Sequence, residues 1–289
     1  MPFYAYAWIA TVLYGLVVIL GKLTSKYAIK NPWLFNFIWT LLMLLLTIPF
    51  AFFNHAEMPK DWLPIIIAGF FNATWYICYI FSTYNLDVSV LTPMFNFRSV
   101  FAVLLSIFLL QETLQPYQFF LIGIIFLAGM FANLDERFRI KSFFTRKIGI
   151  ALFGMLLLAI YGVTVKKVLV HNGIWEATLA INAATLLFLF PTIPLFVKDL
   201  HSITQRNIVP VLFMALAGIL GDIAVNFAYK TNVSITTIIL AIPISMILTV
   251  FLSFFWPKLL EKHTVKIYAI RLFAAAIMIY CSLKLTTGL

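Results

Sequence analysis

The sequence predicts an all-α integral membrane protein with ten transmembrane helices, arranged as two inverted five-helix repeats. Of its 289 residues, 63% are hydrophobic and only 10% are charged, and the mean hydropathy is +1.03. A soluble chain is about 45–50% apolar and about 25% charged. A soluble fold would therefore leave large apolar patches facing water, which promote aggregation. Lipid around the outer surface removes this conflict.

Ten apolar stretches approach the length of about 20 residues that a transmembrane helix needs. In the first half they cover residues 4–20, 33–53, 62–83, 88–110 and 117–134, and in the second half 148–166, 175–197, 208–228, 232–256 and 266–285. We number them spans one to ten. Runs such as 41–46 are continuously apolar, whereas a transmembrane β-barrel requires alternating polarity, so helices are expected.

The two halves of the chain resemble each other. A charged connection at 136–147 separates a first repeat, 1–135, from a second repeat, 148–289. Short patterns recur in order at an offset of 145: Tyr84, Val88-Ser89 and Thr92 as Tyr229, Val233-Ser234 and Thr237, and Thr47-Ile48-Pro49 as Thr192-Ile193-Pro194. Five spans per repeat place the second copy upside down in the membrane. Inverted repeats are common in secondary transporters, with the substrate site near the midplane.

The net charge of +10 does not indicate nucleic acid, because no basic stripe with interleaved aromatic residues lies on a polar face. The basic residues lie mainly between the apolar runs, where they determine orientation. Thirteen Lys and Arg fall on the connections that follow the odd-numbered spans, and five on the other side with the C-terminus. This count predicts that both termini are outside. The expected partners are the lipid bilayer and a small molecule.

Two charged residues lie near the middle of predicted spans, Arg98 in span four and Asp222 in span eight. A charge at the bilayer centre costs about 2.5–3.5 kcal/mol on insertion scales, so such residues usually mark a transport pathway. The alternative is a structural ion pair between them. Asp222 shares a helix face with Gly218 and Asn226, and a desolvated carboxylate can bind a coupling proton.

Uncharged polar residues also form stripes at helical spacing. Span three carries Asn72, Tyr76 and Tyr79, which we take as substrate-binding candidates together with Asn96 of span four and Asn226 of span eight. In one straight helix Arg98 would point roughly 100° or more away from the polar face that contains Asn96. The alternative for Asn72, Asn96 and Asn182 is hydrogen bonding between neighbouring helices.

Two lysines, one arginine and two prolines also have predicted roles. Lys22 and Lys166, at the ends of spans one and six, are candidates for a cationic cavity rim, with ordinary orientation charges as the alternative. Arg271 is expected to extend its charge to the membrane surface. Pro93 and Pro243 are hinge candidates, because proline removes a helical hydrogen bond.

Little in the sequence indicates enzyme chemistry. It contains no metalloprotease motif, no phosphate-binding glycine loop and no nucleophile motif. The four histidines lie in connections, and both cysteines lie in apolar runs. We therefore predict neither metal nor cofactor.

Three segments of the chain resemble the drug/metabolite transporter superfamily, in its ten-span form with two EamA-type repeats. They are Tyr14-Gly15 to Gly21-Lys22-Leu23, Tyr84 to Pro93, and Leu109-Leu110-Gln111-Glu112-Thr113-Leu114 followed by Gly123 and Gly129. The family usually has glycine where this chain has Gln111. The second repeat departs further, at Trp256-Pro257-Lys258. The resemblance implies a central cavity lined by the first four spans of each half, and both termini inside, opposite to the charge count.

Together these features predict a secondary transporter in the cell membrane that works by alternating access. It would export or exchange a small metabolite such as an amino acid, as a monomer or homodimer. A membrane-embedded lipid-modifying enzyme and a non-transporting scaffold are the alternatives.

Overall fold

A computed structural model describes residues 2–110, 116–132, 144–231, 236, 239–255 and 263–287 of the chain. In these ranges the regular structure is entirely helical. Six helices are long and apolar enough to cross a membrane. The predicted connection at 136–147 lies largely outside the described ranges, as do Gln111 and Thr237.

The first half of the chain contains six described α-helices. Their bounds are α1 Phe3–Tyr27, α2 Pro32–Phe53, α3 Trp62–Asn85, α4 Val88–Met94, α5 Phe97–Leu110 and α6 Pro116–Ala132. Asn31 caps α2, because its side-chain oxygen accepts a hydrogen bond from the Trp33 backbone amide at 2.9 Å. Pro32 then occupies the first helical position, where its missing N–H costs nothing.

In the second half the described α-helices are α7 Arg146–His171, α8 Ile174–Leu189, α9 Gln205–Thr231, α10 Ile244–Phe255 and α11 Val265–Thr287. Two short 3₁₀ helices, Phe190–Leu195 and Val197–Ser202, follow α8. Every predicted span contains a described helix, but span four is divided into α4 and α5. In span nine the described α-helix begins at Ile244.

The helices of the two halves pack against each other throughout the bundle. The main pairs are α1 with α9, α3 with α7, α2 with α8 and α6 with α11. Large apolar side chains remain on the outside: Phe52, Phe120 and Phe273 are 76%, 70% and 70% exposed. Such a surface is stable in lipid and would aggregate in water. The chain is therefore a multi-pass integral membrane protein.

The prediction that Arg271 reaches the membrane surface is wrong. Arg271 of α11 does not extend to the membrane surface, because it is buried and its guanidinium donates to the Ser89 hydroxyl of α4. Close by, His263 pairs with Asp87 at 3.0 Å. The hydrogen bond from His263 lowers the pKa of Asp87 below its ordinary value. These contacts join the start of span four to the start of span ten.

Candidate functional site

The helices enclose a cavity of about 130 Å³ in the middle of the bundle. Its walls are central parts of α1, α2, α3, α7 and α9, together with the junction between α4 and α5 and the residues around the start of α10. Both halves of the chain therefore contribute to one cavity.

The division of span four directs Arg98 into this cavity. Pro93 has no backbone N–H, so the helix cannot make the usual bond there. Two of the amides that follow bond three residues back, Phe95 to Thr92 at 3.2 Å and Asn96 to Pro93 at 3.2 Å. This tighter geometry rotates α5 relative to α4, and both Thr92 and Arg98 line the cavity. A straight helix would have placed Arg98 well away from Thr92.

The guanidinium group of Arg98 lies between a tyrosine and a glycine. Its Nη2 donates to Tyr229 Oη of α9 at 2.5 Å, and the guanidinium carbon is 5.7 Å from the Tyr229 ring centroid. On the other side is Gly162 of α7, where a Cβ atom would lie 2.5 Å from Nη2. Only a residue without a side chain leaves room for the guanidinium here.

The carboxylate of Asp222 lies on the same cavity wall as Tyr229 and binds another tyrosine. Tyr14 of α1 donates from Oη to Asp222 Oδ1 at 2.6 Å. Gly221 makes space for this ring, since a Cβ at Gly221 would lie 2.9 Å from Tyr14 Cε1. Asp222 and Arg98 form no ion pair with each other. The cavity thus contains one negative and one positive group, each bound to a tyrosine.

The remaining substrate-binding candidates fall into two groups. Asn72, Tyr76, Tyr79 and Asn226 all line the cavity. The two asparagines also join helices, because Asn72 donates to Thr185 at 3.1 Å and Asn226 donates to Thr178 at 3.0 Å.

Asn96 does not line the cavity. It is fully buried, and its amide donates to the Pro93 carbonyl at 3.1 Å. Its position stabilises the junction between α4 and α5 rather than facing the space where a substrate would bind.

The two lysines proposed for a cavity rim do not line the cavity either. Lys22 donates from Nζ to the carbonyls of Thr83 and Leu86 at 2.9 and 2.7 Å. A cation at this position satisfies carbonyl groups at the C-terminal end of α3. Lys166 is exposed on α7.

Two hinge candidates lie beside breaks in regular structure. Pro93 is the second-last residue of α4, and Pro243 immediately precedes α10. Both breaks border the cavity, since Phe95 and Ile242 contribute to its wall.

Sequence reasoning did not select five aromatic residues of the wall: Tyr14, Trp39, Trp75, Phe95 and Tyr161. Tyr14 belongs to a segment that carried the family resemblance, which was a usable signal. Trp39 lies in the middle of a span, whereas tryptophan usually concentrates at the membrane interface. Tyr161 directly precedes Gly162, and nothing in the sequence distinguishes it from other aromatic residues.

The part of the chain that the structure describes contains no group of three or more His, Cys, Asp or Glu residues with the geometry of a metal site. The chemistry of the cavity is therefore that of hydrogen bonds, two charges and aromatic surfaces.

The chain resembles known proteins in both sequence and fold. Residues 1–134 match the model of the EamA-like transporter family. No curated protein matches the sequence. Among solved structures 27 chains match. One of them, described only as "Crystal structure of protein", has a TM-score of 0.68 and 12% identity, over 98% of this chain and 97% of that chain. This likeness shows a shared fold that extends through the second half.

Proposed function

Because this chain, through residues 1–134, belongs to the EamA-like transporter family of the drug/metabolite transporter superfamily, we propose that it is a secondary transporter of a small metabolite such as an amino acid. The observation that carries the proposal is the central cavity with two opposite charges that do not pair with each other. A zwitterion fits this arrangement, with its carboxylate near Arg98 and its ammonium group near Asp222.

The energetics favour a ligand that carries charge. Burying a charge is costly unless it is paired and hydrogen bonded. Here each charge has one neutral tyrosine hydroxyl as its hydrogen-bond partner. A zwitterion would supply an opposite charge to both groups at once. Asp222 is also the candidate for carrying a coupling proton when the substrate leaves.

Alternating access between two inverted five-helix repeats is the proposed mechanism. The helix contacts support it, because they occur in symmetric pairs. Exchanging the two halves of the chain converts one contact of each pair into the other. Span one packs on span eight, as α1 on α9, and span six packs on span three, as α7 on α3. Likewise α2 contacts α9, and α8 contacts α3. Breaks at Pro93 and Pro243 border the cavity and supply the hinges.

In this proposal the protein is an exporter or exchanger in the cell membrane. Members of the family are transporters, and we assign the chain no enzymatic activity. It functions as a monomer or homodimer with a small-molecule substrate as its only required partner besides lipid and coupling protons.

Flux measurements test the proposal. Purified protein in liposomes loaded with a mixture of unlabelled amino acids should take up a radiolabelled member of that mixture. Arg98→Ala and Asp222→Asn should reduce uptake by about tenfold or more, since hydrogen bonds to charged groups contribute about 1.5–3 kcal/mol.

Matched controls come from surface positions. Arg206→Ala changes an exposed arginine of α9, and Asp61→Asn changes the residue that caps α3, where asparagine caps equally well. Both controls should retain uptake. Full uptake by the Arg98 and Asp222 variants would contradict the proposed site.

A further inference from the structure

The cavity wall contains a buried hydrogen-bond donor that no described residue accepts. The indole Nε1 of Trp39 has no partner, although the residue is only 4% exposed and lines the cavity. Buried tryptophan usually has a hydrogen-bond partner for this group. A buried donor without a partner needs an explanation, and beside an open space a bound ligand atom is one.

Two tyrosine rings lie beside this indole. The hydroxyl of Tyr79, a residue 3% exposed, makes no geometrically complete hydrogen bond and lies near the Thr83 side chain. The Tyr76 hydroxyl donates to Met43 Sδ at 3.7 Å, where a thioether is a weak acceptor, and lies near the Asn72 side chain. The Trp39 ring centroid lies 4.5 Å from that of Tyr76 and 5.8 Å from that of Tyr79. We call these three residues the donor cluster.

Gly218 of α9 keeps space open beside the donor cluster. A Cβ at Gly218 would lie 3.8 Å from Trp39 Nε1 and 3.3 Å from Met43 Sδ. Gly218 lines the cavity, so the absence of a methyl group there leaves room for atoms of a ligand.

The donor cluster itself carries no charged group. Gly218, which lies near Trp39, precedes Asp222 by four residues on α9, a rise of about 6 Å along this helix. Among the lining residues the only Lys or Arg is Arg98. Donors without a nearby cation suit a neutral acceptor oxygen better than a second anion.

We propose that Trp39, Tyr76 and Tyr79 form a second subsite, which binds a neutral carbonyl or carboxamide oxygen on the side chain of the substrate. This deepens the proposed function, on which it rests for the zwitterionic head group. The subsite makes the transporter selective for substrates that combine an apolar stem with such an oxygen.

A matched ligand pair tests the subsite. L-Glutamine and L-norleucine have similar length but differ in the side-chain carbonyl. The purified protein should bind glutamine about tenfold more tightly, as one well-placed hydrogen bond predicts. Trp39→Phe keeps an aromatic ring but removes the N–H, and should lose most of this preference with little change in norleucine affinity. Tyr79→Phe should act in the same direction.

The control for the indole is Trp62→Phe, which changes a 49% exposed tryptophan at the start of α3. It should keep the preference for glutamine. An unchanged preference in Trp39→Phe would overturn the subsite, because the N–H would then bind only water.

A further measurement separates this inference from the proposed function. If neither amino acid binds, the proposed amino-acid substrate is wrong. Benzamide against toluene, which carry no ammonium or carboxylate, then decides the subsite. A benzamide preference that disappears in Trp39→Phe supports it, and no preference, or one that persists, overturns it.

Discussion

Arg98 and Asp222 are each positioned by closely packed residues of neighbouring helices. Both charges contact a tyrosine from another helix, and such charge-assisted hydrogen bonds offset part of the cost of burial. Glycine supports both arrangements, Gly162 beside Arg98 and Gly221 beside Tyr14. The position of each charged group therefore depends on a residue that carries no functional group.

Gly162→Ala should displace the Arg98 guanidinium. The new methyl group would overlap Nη2, so Arg98 must leave Tyr229 or α7 must shift. We expect ligand binding to weaken by about tenfold or more, as for removal of a charge-assisted hydrogen bond, in a protein that still folds. Binding and thermal melting of the purified variant measure both effects.

The control for this substitution lies on the same helix. Gly149→Ala adds a methyl group where no atom of another element lies within 4 Å. It should leave binding unchanged and should not lower the melting temperature, because alanine favours a helix more than glycine does. Wild-type affinity in Gly162→Ala would show that Arg98 does not need this space to bind its ligand.

At the scale of elements, α8 carries a polar stripe that joins three neighbouring helices. Its Thr178 and Thr185 accept hydrogen bonds from Asn226 of α9 and Asn72 of α3. Its Asn182 donates to Thr47 of α2 at 3.0 Å. In lipid, apolar surfaces alone do not drive helices together, so packing and such bonds determine which helices associate.

A double-mutant cycle measures one of these bonds. Asn72→Ala and Thr185→Val each remove one partner, and the coupling free energy should be about 0.6 kcal/mol and at most about 1.7 kcal/mol. Reversible unfolding in mixed detergent micelles gives the four stabilities. Asn72→Ala combined with Thr178→Val, whose partner is Asn226, should show additivity. Additivity in the Asn72–Thr185 cycle itself would mean that the bond contributes nothing to stability.

The prolines show that the sequence of a helix does not by itself determine whether the helix breaks. Pro49 lies inside α2 and Pro210 inside α9, and both helices continue. Beside Pro93, by contrast, the chain changes to tighter bonding and a second helix begins. Whether a carbonyl freed by proline breaks a helix depends on which neighbouring groups can satisfy it. Sequence reasoning therefore identified Pro93 as a hinge candidate but could not place Arg98 relative to the other polar residues of span four.

At the scale of the whole molecule, the ten predicted spans would put both termini on one side of the membrane. The charge count and the family resemblance agree on this point, although they disagree on which side it is. The native cysteines, Cys78 and Cys281, are both buried. A thiol reagent added from outside the membrane would therefore report on engineered cysteines.

Cysteine labelling with a membrane-impermeant reagent tests the topology. Pro2→Cys and Lys284→Cys should be labelled from the same face. Lys30→Cys, at an exposed position between α1 and α2, should be labelled from the opposite face. Accessibility of the Pro2 and Lys284 variants from opposite faces would contradict an even number of spans. Right-side-out and inverted vesicles also decide whether the termini are inside or outside.

Composition and apolar run length by themselves determined the class of this protein, an all-helical chain in lipid, because hydrophobicity and helix length are properties of contiguous sequence. The same local reasoning selected Arg98 and Asp222, since a charge within an apolar run is visible in one dimension. Only the tertiary structure decided that these charges bind Tyr229 and Tyr14 instead of each other, that Asn96 lies outside the cavity, and that Trp39 lies inside it. Those outcomes depend on contacts between helices distant in sequence and on the space that single glycines leave.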